Sequence, residues 1–139
     1  MNKTIEEIQV FIVGFDTKSM LPFARIEKIP ISFTSGENVE LNMILECSGI
    51  EIIDYSKEIA IILDDQGMVK EGNPIFEIVA PDNAIIHLAG TLIFAKNIYN
   101  TESVDLDSLK FEEIQYLVQN LDIKVEGMVK KSYRGMQPG

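Results

Sequence analysis

The sequence predicts one α+β domain: a mainly antiparallel, twisted sheet of five to seven strands with two helices packed on one face. Three observations carry this. Short runs rich in Ile, Val and Phe alternate with Gly, Pro, Asn and Asp, the punctuation of strands and tight turns. Only two stretches repeat their apolar residues at helical spacing. The run Ile85-Ile86-His87-Leu88-Ala89-Gly90-Thr91-Leu92-Ile93-Phe94-Ala95 holds one titratable group and no fixed charge, so it reads as the middle strand, buried on both faces. A chain of 139 residues suffices for one core that buries roughly two-thirds of its unfolded surface. The domain is placed at 1–129 and a flexible basic tail at 130–139.

Ile8 to Val13 is short and β-branched and ends at Gly14, giving a first strand and a loop through Asp16 and Pro22. A second strand runs from about Phe23 to Ile29, with Ala24 and Ile26 on the face expected to be buried and Arg25 and Glu27 on the wet one; Pro30 marks an end or a sheet edge. Thr34-Ser35-Gly36-Glu37 has capping-box spacing and predicts a helix over about 37–47, with Val39, Met43 and Cys47 aligned and Gly49 as its left-handed cap. Ile50 to Tyr55 and Glu58 to Leu63 predict a hairpin turning at Ser56-Lys57. Phe76 to Val79 and Ile85 onward predict another around Ala80-Pro81-Asp82-Asn83-Ala84, where Asn tolerates the left-handed region.

Within the apolar run Gly90 suggests a bulge or a close approach, with Thr91 on the face of His87 and Ile93. Asp105 to Ser108 supplies N-cap candidates for a second helix over roughly 108–121, striped by Leu109, Phe111, Ile114, Leu117, Val118 and Leu121. Asp122 to Val129 alternates as a last edge strand. Pro30, Glu27, Lys28 and Lys124 would blunt the sheet edges.

Acidic residues number 22 against 12 basic ones, for a formal charge of -10, which opposes approach to phosphate backbones and anionic lipid. The charge is uneven: residues 1–123 carry -13, and 124–139, with Lys124, Lys130, Lys131 and Arg134 against Glu126, carry +3. The tail is read as a solvated arm, with contact to a partner or RNA as its other use. One cysteine, Cys47, excludes an intramolecular disulfide and a cysteine metal cage, fits a reducing compartment and is read as core filler. The N-terminal residues lack the apolar core of a signal peptide and no stretch is long enough to span a membrane, so the cytoplasm of the host cell is expected.

No catalytic motif stands out, and enzymatic function is the weaker class. Asp64 and Asp65 are neighbours that a strand would send to opposite faces; a turn could let them share a divalent ion with Glu58 or Glu71. His87 is the only group that ordinarily titrates near neutrality, and on a buried strand it is expected to be a hydrogen-bonded core residue. The glycines form no phosphate cradle. No cofactor and no metal is expected.

From Leu41 to about Leu117 the order of elements and several local sequences resemble an uncharacterised family of phage, plasmid and mobile-element proteins, domain of unknown function 3846. The likeness rests on Ser48-Gly49-Ile50-Glu51-Ile52, on Asp64-Asp65-Gln66-Gly67-Met68-Val69, on Gly72-Asn73-Pro74-Ile75-Phe76-Glu77, on Leu88-Ala89-Gly90-Thr91-Leu92-Ile93 and on Asp107-Ser108-Leu109. The family's polar Asn-Arg pair is replaced here by Phe76-Glu77. The resemblance implies a phage or mobile-element context rather than a reaction.

Together these readings lead to an accessory protein that acts by binding, with a host protein, such as a nucleic-acid-binding defence nuclease, as the partner it inhibits. Direct nucleic-acid binding and membrane association are not expected; a homo-oligomer is compatible with the reading. Asp64, Asp65, Glu71, Asn73, Glu77, His87 and Thr91 are the candidate binding residues. The alternative is a binder of a small nucleotide-like ligand, with sites between subunits and with His87, Thr91, Arg25 or Arg134 as contacts. A hydrolase built on Asp64, Asp65 and His87 is the third reading.

Overall fold

The computed structural model describes residues 5–32, 39–99 and 104–130. The α+β class, the single small domain and the prevailing antiparallel pairing match the prediction. Among these residues nine strands form two sheets. The larger sheet comprises β1 (Ile5–Asp16), β2 (Leu21–Ser32), β3 (Ile50–Asp54), β4 (Ile59–Asp64), β7 (Leu92–Tyr99) and β8 (Val104–Asp107). Its order is β2-β1-β7-β4-β3, with β8 pairing the far half of β7. The smaller sheet has the order β6 (Ile85–Ala89), β5 (Pro74–Val79), β9 (Asp122–Met128).

Period-two alternation divides the larger sheet's apolar side chains between two cores. Ile8, Val10, Ile12, Ala60, Ile62, Ile93 and Ala95 meet Leu41 and Leu45 of helix α1 (Val39–Leu45). Phe11, Val13, Ile61, Leu63, Leu92 and Phe94 face the other way. They meet Phe76, Ile78 and Leu88 of the smaller sheet and Ile114 and Leu117 of helix α2 (Phe111–Asn120). The two helices therefore lie on opposite faces of the larger sheet rather than on one: the second sheet shares a face with α2, and α1 covers the other.

The long apolar run is not one strand. Its second half, β7, is the middle strand and is buried on both faces as expected. Its first half, β6, is an edge of the smaller sheet, with Ile85 and His87 exposed and Leu88 and Ala89 buried. The break falls at Gly90, whose φ of 95° lies in the left-handed region and whose N–H donates to the Pro74 carbonyl at 2.9 Å. The same break separates Thr91 from the face of His87, so the expected alignment of His87, Thr91 and Ile93 does not form.

The hairpins are found where the turn residues place them. The β5–β6 turn puts Asn83 at φ 72°, with Asp82 accepting from the Ala84 N–H at 3.0 Å. The β3–β4 turn is wider than the expected two residues, because the Ser56 hydroxyl accepts from the Glu58 and Ile59 N–H groups and the Ile59 carbonyl accepts from Tyr55 and Ser56. β1 and β2 run longer than predicted, since all twelve residues of each find a cross-strand partner. β2 is the expected edge strand.

Helix α1 buries Leu41 and Leu45 and leaves Met43 exposed, while Cys47, just past its end, is partly buried against the same core. It ends on Glu46 in the left-handed region rather than on Gly49. Gly49 lies against the exposed Asp65 side chain, whose Oδ2 would stand 2.7 Å from a Cβ there. The predicted capping box at residues 34–37 lies outside the described residues, as do tail residues 131–139. In α2 the stripe is narrower than predicted, with Phe111 and Val118 in solvent. Its first turn is capped by Glu113, whose carboxylate accepts from the Lys110 N–H at 2.7 Å, and not by residues 105–108, part of which form β8.

Replacing Gly90 by alanine would hold a Cβ-bearing residue at a left-handed φ and 3.3 Å from Asn73 Nδ2. Gly90→Ala should cost about 1–3 kcal/mol of stability, read as a lower urea midpoint at unchanged slope.

Candidate functional site

Three of the predicted site residues meet at the end of β4. Asp64 is 6% exposed; its Oδ1 accepts from the Gln66 N–H at 2.8 Å and its Oδ2 pairs with Lys70 Nζ. Lys70 also donates to the Glu46 carbonyl at 3.2 Å, and the bond to Asp64 holds its ammonium above the ordinary lysine value against the effect of burial. Asn73 donates to the Gly67 carbonyl at 3.0 Å. Gly67 is fixed by closeness, since a Cβ there would stand 2.4 Å from the Ala89 carbonyl oxygen. The resulting pocket, about 180 Å³, is lined by Asp64, Lys70, Asn73, Gly90 and Thr91, with Ile44, Leu45 and Glu46 of the α1 end. Asp65 and Glu71 are exposed and do not line it, and Asp65 lies against Gly49 instead. Lys70 was not anticipated, because a lysine in a Gly-rich loop gives no sequence cue until the turn brings it back onto Asp64.

Glu77 and His87 meet elsewhere, on the solvent face of the smaller sheet. The β5–β6 hairpin is centred on Asp82, so residues equidistant from it pair, and Glu77 stands opposite His87. On the other side Glu77 faces Lys124, and a bulge where Ile75 gives way to Phe76 brings Glu126 alongside. His87 Nε2 lies 3.4 Å from Glu77 Oε1 and 3.1 Å from Glu126 Oε1, and Lys124 Nζ lies 3.3 Å from Glu77 Oε2. Hydrogen bonding with Glu126, then Lys124 and His87, holds the Glu77 carboxyl below its ordinary value against burial. His87 is thus not a buried core residue: it sits on an edge strand with its side chain 48% exposed. It does not line the Asp64 pocket, which removes the geometry a hydrolase of Asp64, Asp65 and His87 requires.

A further concavity is apolar and has no counterpart in the sequence reading. Pro22, Ala24 and Ile26 of β2 stand opposite Phe15, Val13 and Phe11 of β1, so they share that face of the larger sheet. The smaller sheet and α2 do not extend over them. Ala24 and Ile26 are exposed where burial was expected, because the face is apolar but its cover stops one strand short. The gap is a groove of about 580 Å³, walled by Leu117 and Val118 of α2, by Leu121 just past its end and by Ile123 of β9. Arg25, one of the predicted ligand contacts, stands at this groove; Arg134 lies outside the described residues. The sequence cue was the alternation in β2, an apolar face on a strand that Pro30 puts at an edge.

Helix α2 is held in place at its N-terminus by Lys96 of β7, whose Nζ lies 2.8 Å from Glu113 Oε2. Burial pushes the Glu113 carboxyl up, but the Lys110 N–H and Lys96 outweigh it and hold the group below its ordinary value. Among the described residues no helix is long and apolar enough to cross a membrane. Comparison of the chain with protein-family models, curated proteins and solved structures finds no match.

Because Glu113 is shifted downward, its contribution is complete above the unfolded-state value near 4.5 and disappears as pH falls through the lower folded value. Glu113→Gln should therefore cost about 1–3 kcal/mol at neutral pH, and the gap to wild type should close in acid when both are unfolded in urea across the pH range.

Proposed function

We propose that this protein acts by binding a host protein and inhibiting it, as an accessory factor of a phage or mobile element. The observation that carries the reading is the groove between β2 and α2. Its apolar side chains are left open beside the exposed edge of the larger sheet, where an extended segment of a partner can add its own backbone hydrogen bonds. A volume of about 580 Å³ is within the usual range for recognition sites, roughly 300–1,000 Å³. The net charge of -10 selects for basic partners and speeds their encounter, which is why a nucleic-acid-binding host protein is the favoured target. The resemblance noted in the sequence supplies the genetic context.

A second reading, a small nucleotide-like ligand, has in its favour the convergence of Asp64, Asn73 and Thr91 around Lys70. The size of that pocket, about 180 Å³, suits a group smaller than a whole nucleotide. A thermal-shift screen with nucleotides separates the two readings, because a true ligand raises the Tm with concentration.

Ile26 is 52% exposed, so Ile26→Asp should leave the fold intact while placing a charge in the groove. We expect the wild-type chain to retain one nucleic-acid-binding protein from host lysate at low salt and to inhibit it when purified, and Ile26→Asp to lose both. Equal retention and inhibition by the variant would contradict the groove as the docking site.

A further inference from the structure

We propose that Glu77, His87 and Glu126 form a binding site for a divalent transition-metal ion of the zinc class on the outer face of the smaller sheet. The three side chains come from three adjacent strands, β5, β6 and β9, and their donor atoms all lie within 4.8 Å of one another. Zinc holds nitrogen and oxygen ligands at about 2.0–2.2 Å, which sets the donor atoms of a tetrahedral site roughly 3.3–3.5 Å apart. The His87 Nε2 distances, 3.4 Å to Glu77 Oε1 and 3.1 Å to Glu126 Oε1, already approximate two edges of that tetrahedron. The backbone that sets them is fixed by ladder pairing on one side and by the bulge on the other.

The donor set chooses the metal. One imidazole nitrogen and two carboxylate oxygens suit zinc and its neighbours, whereas magnesium and calcium prefer oxygen alone. Two carboxylates also neutralise a dication, with His87 coordinating through Nε2 in its neutral form. Lys124 bonds Glu77 through Oε2, which leaves Oε1 available; its ammonium nevertheless repels a cation and so weakens the site. Three protein ligands leave a fourth position for water or for a donor from another molecule. The site ties β6 and β9 to β5, and it stands independently of the groove.

The full, untagged chain contains a single histidine, so its imidazole can be followed without ambiguity by NMR while zinc chloride is added. We expect one equivalent to shift the Nε2 resonance and raise the Tm, with magnesium at the same concentration doing neither. His87→Ala and Glu126→Gln, both at solvent-exposed positions, should each weaken zinc binding at least tenfold by calorimetry, as disturbance of even a supporting partner does. Lys124→Met should tighten it. Absence of saturable zinc binding would overturn the proposal, and so would a wild-type affinity in both His87→Ala and Glu126→Gln with their circular dichroism unchanged.

Discussion

The fold depends on burying three strands, β1, β7 and β4, on both faces. A strand buried twice has its polar backbone satisfied only by neighbouring strands, because no water reaches it. It also needs apolar side chains in both directions, which is why Ile61, Ile62, Ile93 and Phe94 run without interruption by charge. Two covers follow from that requirement. Helix α1 supplies one, and the smaller sheet with α2 supplies the other. Phe94 is the centre of the second core, meeting Phe11 and Tyr55 edge to face with ring centroids 6.1 and 5.7 Å apart.

The smaller sheet can serve as a cover only because the chain changes sheet at Gly90. Without that turn β6 would continue β7 beyond the larger sheet, and Phe76 and Ile78 would have nothing to pack against. The turn also generates chemistry at its two ends. On one side it brings Gly90 and Thr91 to the pocket where Asp64 meets Lys70; on the other it leaves His87 on an outward face, opposite Glu77. Neither group is at the centre of the fold. The open groove has a similar origin, since the cover spans β7 and β1 and stops before β2.

Much of this was legible. The hairpins at 80–84 and 55–58, the edge character of β2 and of β9, and the second helix follow from turn residues and periodicity. Gly90 was legible as an exception within an apolar run, but the difference between a bulge and a change of sheet depends on its left-handed φ and on the Pro74 carbonyl, which no local pattern encodes. His87 was misplaced for the same reason: burial was inferred from its neighbours in one assumed strand, and the strand is two. The candidate residues separated accordingly. Asp64, Asn73 and Thr91 meet, Glu77 and His87 meet elsewhere, and Asp65 and Glu71 join neither. Lys70 and Glu126 carry as much of the local electrostatics, yet their roles depend on a returning loop and on a bulge. The groove's apolar wall was visible in Ala24 and Ile26, although its exposure was not, because sequence alternation identifies an apolar face without saying how far its cover extends.

The division of the apolar run into a doubly buried central strand and an edge strand is the claim on which the rest stands, and native-state hydrogen exchange measures it directly. The amides of Ile93, Phe94 and Ala95 should exchange only through global unfolding, while those of Ile85–Ala89 should exchange through smaller openings of the second sheet, with the change in protection falling at Gly90. Uniform protection from Ile85 through Ala95, with a single opening free energy, would contradict it.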